Sequence, residues 1–351
     1  KNKCSIHRSV VALLKFSENY FEIEINYKIR SFIMTNNQLL GIHHVTAITD
    51  DAERNYKFFT EVLGMRLVKK TVNQDDIYTY HTFFADDVGS PGTDMTFFDF
   101  PNVPKGTGGT NSISRSSFRV PNDAALEYYE QRFNDFEIKH DGIQTLFGTK
   151  VLPFEEVDGQ RYQLVSDEHN TGVAPGTPWK NGPVPTDKAI YGLGPIEITV
   201  SYFEDFIKIL EQVFGMKVKH EEENVALLEV GEGGNGGQVI LRKDAEGPAS
   251  RQGYGEVHHV SFRLKDHEAI EQWMEKYKEL GIGNSGLVDR FYFEALYARI
   301  GHILIEVSTD GPGFMGDEPY ETLGESLALP PFLEEQREYI ESEVKPFNTK
   351  R

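Results

Sequence analysis

The 351 residues include 36 Lys and Arg against 55 Asp and Glu, a formal net charge of −19, with 39% hydrophobic residues. An acidic surface repels phosphate, and no basic patch interrupts it, so nucleic acid and anionic membranes are excluded as partners. No apolar run approaches the roughly 20 residues of a membrane span. The single cysteine, Cys4, excludes an internal disulfide and a cysteine-rich metal site, which points to a soluble, cytoplasmic protein.

Residues 1–33 mix basic, apolar and aromatic side chains without a period, and Met34 opens a more ordinary sequence, so 1–33 reads as an upstream or expression-derived extension. A first unit starts with Gly41-Ile42-His43-His44-Val45-Thr46, and Asp50 or Asp51 then caps a helix that aligns Tyr56, Phe59 and Leu63 before Gly64. Strand patterns follow near 66–72, 78–85 and 94–100. A second, more diverged unit runs from 112–120 through a helix with Leu126, Tyr129 and Phe133 to a strand at 161–165. The third opens at 194–200 and continues into a helix with Phe206, Leu210 and Phe214 that breaks at Gly215. The fourth opens with Val257-His258-His259-Val260-Ser261, has Asp266 as a cap and Ile270, Trp273 and Tyr277 on one helix face, and closes on a strand at 301–307.

Each unit reads as βαβββ, and such repetition defines the architecture. The expectation is an α+β fold of four modules forming two barrel-like domains: 34–171 and 189–314, joined by a Gly- and Pro-rich linker at 172–188 and followed by a tail with a helix at 315–351.

The chemical signal is the recurrence of His-His at matched places. Neighbours on a strand point to opposite faces, so only one histidine of each pair is expected to enter an interior. Alternation groups His44 with Ile42, Thr46 and Ile48, and His259 with Val257, Ser261 and Arg263. Glu306, between Ile305 and Val307 on the last strand, is costly to bury unless paired or metal-bound. Two histidines and one carboxylate are the set that holds non-haem Fe(II) with positions left open.

With the His-His-Val-Thr opening, the Leu63-Gly64-Met65 helix end, Ile305-Glu306-Val307 and Gly311-Pro312-Gly313, the chain resembles the vicinal oxygen chelate superfamily of glyoxalases, bleomycin resistance proteins and extradiol dioxygenases. Asp289-Arg290-Phe291-Tyr292-Phe293 before Tyr297 makes it similar to the hydroquinone-cleaving branch, which includes chlorohydroquinone dioxygenases and ring-cleaving dioxygenases of bacilli. The resemblance implies metal ligands His44, His259 and Glu306, with units one and four closing one cavity. It brings in His43, Thr46, His258, Arg290 and Tyr297 as groups around the reaction, with His258 first and His43 second for proton transfer, and Arg290 and Tyr297 holding negative charge.

The function it implies is ring opening of a hydroquinone or catechol by dioxygen on Fe(II) or Mn(II), by an extradiol-type enzyme whose partners are a small aromatic substrate and dioxygen. Strand edges in such folds often pair between copies, so a homo-oligomer is compatible with it. Two alternatives stand beside this. A glyoxalase-type lyase or isomerase would take a fourth ligand, Asp99, and hold Zn or Ni. A non-catalytic protein would bind aromatic compounds in the same cavity. Glu197, which unit three offers where unit four has His259, is an alternative ligand beside His259 and Glu306.

Overall fold

The computed structural model describes residues 38–351. The extension expected at 1–33 lies outside the described residues. Four βαβββ units are present. The first comprises β1 (Ile42–Ile48), α1 (Ala52–Lys57) running into a π-turn at Phe58–Val62, β2 (Arg66–Asn73), β3 (Asp76–Ala85) and β4 (Asp94–Phe98). The second has β5 (Ser112–Val120), α2 (Asp123–Asp135), β6 (Gln144–Leu146), β7 (Thr149–Glu155) and β8 (Arg161–Ser166), with a two-residue β9 (Gly192–Leu193) beside β5. The third has β10 (Ile196–Val200), α3 (Phe203–Gln212), β11 (Lys217–Glu222), β12 (Val225–Glu229) and β13 (Gln238–Lys243). The fourth has β14 (Val257–Leu264), α4 (His267–Glu279), β15 (Val288–Asp289), β16 (Phe293–Ile300) and β17 (Ile303–Pro312).

Local chemistry starts the helices where the sequence indicates. Asp51, not Asp50, caps α1 by accepting the Arg54 N–H, and Asp266 caps α4 by accepting the Ala269 N–H.

The strands form two curled sheets, giving an α+β fold. One runs β15-β16-β17-β14-β1-β4-β3-β2 and the other β11-β12-β13-β10-β5-β8-β7-β6. The first joins unit four to unit one through the antiparallel pair β1–β14, and the second joins units two and three through β5–β10. The sheets therefore cut across the sequential halves 34–171 and 189–314, each taking one unit from either half.

The helices pack on one face of each sheet. Phe59, Leu63, Trp273 and Tyr277 share a single buried cluster with Val45, Ala47, Met95, Phe97, Val260, Phe262, Ile305 and Val307. Each large side chain buried there contributes about 1.5–3 kcal/mol. Because the strand period is two, anchoring these residues turns Thr46, Thr96, Ser261 and Glu306 to the opposite, concave face. The last helix, α5 (Arg337–Glu343), and the turns before it pack Leu329, Leu333, Ile340 and Val344 against Val72 and Tyr80.

Candidate metal centre

The β1–β14 junction carries two bulges. Ile42 pairs with Phe262 and His44 with Ser261, leaving His43 as an extra residue; Thr46 pairs with His259 and Ala47 with Val257, leaving His258 as the extra one. Strict alternation sends only one histidine of each pair inward, and the bulges overturn that expectation. A bulge re-aims the neighbouring side chain, and here it brings His43 Nδ1 to 2.9 Å from His44 Nδ1, and His258 Nδ1 to 2.8 Å from His259 Nδ1. His43, His44 and His259 are buried and His258 is half-buried.

His44, His259 and Glu306 converge from three adjacent strands. Glu306 Oε2 lies 3.2 Å from His44 Nε2 and 2.9 Å from His259 Nε2, and the two Nε2 atoms are 3.3 Å apart. Glu306 is 0% exposed. Burial opposes its charge, but His44 and His259 overcome that and hold the carboxyl well below its usual range. Its Oε1 accepts a hydrogen bond from Ser308 Oγ at 2.5 Å, and Ser261 Oγ lies 2.8 Å from Ser308 Oγ.

These atoms fit a divalent cation. Despite its close approach to both rings, the buried Oε2 has no well-directed hydrogen-bond donor among the described residues. The tautomers also follow from the hydrogen bonds. His43 Nε2 lies 3.1 Å from the Thr309 carbonyl oxygen, to which only an N–H can donate. Burial, followed by the neighbouring His44, lowers the pKa of His43 to about 3, so the ring is neutral and its Nδ1 accepts from His44 Nδ1–H. The bond to His43 leaves Nε2 as the His44 atom that faces Glu306, and in the neutral ring this nitrogen carries the lone pair a metal requires.

Arg290 and Tyr297 flank the fourth-unit side of this group. The Tyr297 ring centroid lies 5.7 Å from that of His259, its hydroxyl accepts from Arg290 Nε at 3.3 Å, and Arg290 Nη2 reaches Asp75 at 2.9 Å. Burial first, then the Glu306 charge, pushes the Tyr297 hydroxyl above its ordinary range, so it stays protonated. Burial works against the Arg290 charge, but Tyr297 and Asp75 more than offset it. Phe293 lies with ring centroids 5.3 Å from His43 and 5.2 Å from His44, an apolar wall.

Neither alternative ligand joins the group. Asp99 accepts the Tyr80 N–H at 2.6 Å, and burial, opposed by that bond, pushes its carboxyl up to about 7. The register also shows that Asp99 is not the counterpart of Glu306. Thr46 pairs with Thr96 as Ser261 pairs with Glu306, so the matching corner in unit one holds Thr96. Glu197 lies on β10 of the other sheet, where it forms an ion pair with Arg242 Nε at 2.7 Å.

Sequence reasoning missed Ser308, Thr96 and His81, and it met Phe293 only as part of a motif, without a place at the site. Thr46 Oγ1 lies 2.8 Å from Thr96 Oγ1, which lies 3.0 Å from His81 Nε2. A signal existed for two of them, since Ser308 follows Glu306 by one strand period and His81 precedes Phe83 by one.

The Glyoxalase/Bleomycin resistance protein/Dioxygenase superfamily model matches residues 41–132 and 192–307. The chain belongs to this superfamily. Within it, the chain is 44% identical over 312 residues to the Bacillus subtilis (strain 168) protein named "Putative ring-cleaving dioxygenase MhqA", covering 87% of this chain and 98% of that one. It is 28% identical over 303 residues to "Chlorohydroquinone/hydroquinone 1,2-dioxygenase" of Sphingobium indicum, covering 84% and 92%. Among superfamily structures, a crystal structure of a Bacillus subtilis "putative dioxygenase" superposes with a TM-score of 0.82 at 33% identity, covering 90% of this chain and 99% of that one.

Proposed function

We propose that this superfamily member is a metal-dependent ring-cleaving dioxygenase of extradiol type, opening a hydroquinone-type ring with dioxygen. The observation that carries the reading is the convergence of His44 Nε2, His259 Nε2 and Glu306 Oε2, with Thr96 rather than a fourth ligand at the symmetry-related corner. Three protein donors on one side leave coordination positions for substrate and dioxygen. The names of the two relatives support the reaction class and the hydroquinone ring.

Fe(II), or Mn(II) on the same donors, supplies Lewis-acid ionisation of a ring hydroxyl and a coordination position for dioxygen. The chain's own groups do the rest. His43 and His258 hold the ligand rings through their Nδ1 atoms, so their role shifts from moving protons to orienting His44 and His259. Ser308 and Ser261 fix the Glu306 carboxylate. Arg290 and the protonated Tyr297 face developing negative charge, and Phe293 packs against a flat ring.

The test is oxygen uptake by anaerobically Fe(II)-loaded protein given hydroquinone, methylhydroquinone and catechol, with metal content measured on the same sample. Uptake equal to substrate consumed, with a ring-opened product, is expected. Fully metallated protein that consumes no oxygen overturns the reading.

A further inference from the structure

Thr96, at the corner matching Glu306, is not idle. It joins a line of three side chains: Thr46 Oγ1, Thr96 Oγ1 at 2.8 Å and His81 Nε2 a further 3.0 Å away. Thr46 lies one strand period from His44 and opposite His259, and both threonines are completely buried. His81 is wedged between Phe83 and Phe98, with ring centroids 4.1 and 4.4 Å away. His43 has both ring nitrogens engaged, and the Nδ1 of His258 is held by His259, so neither is well placed to take up a substrate proton.

We propose that Thr46, Thr96 and His81 form a relay that receives the proton released when the bound substrate's hydroxyl ionises. The substrate O–H gives its proton to Thr46 Oγ1 as Thr46 passes its own to Thr96 Oγ1 and Thr96 passes its own to His81 Nε2. The electron pair stays on the substrate oxygen, each threonine ends as a hydroxyl, and one N–H bond is gained at His81. Hydroxyls serve both as donors and as acceptors, which such a chain requires. The groups acting on His81 are His44 from β1, His259 from β14, Glu306 from β17 and Arg290 before β16. Burial, then His44, holds the resting His81 well below its ordinary pKa, so it starts neutral, and being only partly buried it passes the proton on to solvent rather than keeping it. His81 acts through the threonines and is therefore a positioning residue, not one that touches substrate.

This inference rests on the ring-cleaving reading, and the experiment separates the two. Zinc-loaded, oxygen-free protein is mixed rapidly with nitrohydroquinone, and the rate at which the bound probe ionises is read from the rise of its phenolate absorbance. The expected rate for His81→Phe, which keeps a ring between the two phenylalanines, and for Thr96→Val is about 10- to 100-fold below wild type. Thr96→Ser, which restores the hydroxyl, returns to the wild-type rate. Equal rates in all four proteins overturn the relay and leave the site's assignment intact. Loss of metal from Thr96→Val and Thr96→Ser alike assigns the chain a structural role and also overturns it. A metal-loaded wild type that shows no spectral change with the probe sinks the ring-cleaving reading and the relay with it.

Discussion

Thr96 occupies in β4 the position that Glu306 occupies in β17, each paired with the hydroxyl residue two places beyond His44 or His259. That substitution separates a three-donor site from a four-donor one. Thr96→Glu adds a carboxylate aimed at the same point. Chelator-driven metal release from the variant is expected to slow about tenfold while oxygen uptake with hydroquinone falls. Uptake at the wild-type rate from the metallated variant contradicts the three-donor account.

Glu306→Gln keeps volume and removes charge. Metal bound at stoichiometric Fe(II) should fall to less than about a tenth of wild type, with the far-ultraviolet circular dichroism unchanged. Ser308→Ala, which removes only the hydroxyl on Oε1, should weaken metal affinity about 10- to 100-fold.

Arg290 reaches Tyr297 and Asp75 with a planar fork that lysine cannot reproduce. For Arg290→Lys, kcat is expected to fall about 10- to 100-fold with KM nearly unchanged, as measured by steady-state oxygen uptake. A change confined to KM would mean that Arg290 only binds substrate.

Asp99 has a different consequence, for stability. Burial raises its folded pKa from 3.8 to about 7. Between those values the native state holds more protons than the unfolded one, so this group's contribution falls as pH rises and stays low above about 7. Asp99→Asn should therefore stabilise the protein at pH 8 by roughly 1–2 kcal/mol, with no gain near pH 4. Paired thermal melts at the two pH values check this, and a gain that is the same at both excludes titration as the cause.

The units and the grouping of His44, His259 and Glu306 were legible because both rest on local signals: periods of 3.6 and 2, caps at Asp51 and Asp266, and the His-His-Val run shared by β1 and β14. The bulges at His43 and His258 were not. They depend on register between β1 and β14, whose His44 and His259 lie 215 residues apart, and no local pattern encodes register across that distance. For the same reason the sequence offers Asp99, rather than Thr96, as the fourth donor of the lyase alternative. Choosing the right strand did not fix the right residue, and the parallel pairing of Thr46 with Thr96 decided it.

The pairing of outer unit with outer unit and inner with inner nests one sheet within the other along the chain. During synthesis β5 through β13 can assemble from contiguous sequence, whereas β1, which can pair with β4 at once, lacks its other neighbour until β14 is made. Loop-closure entropy favours the inner sheet first. The two histidines and Glu306 meet only when β14 and β17 have joined β1, so the proposed metal site forms late, and a nascent chain that ends before β17 lacks one of its three donors.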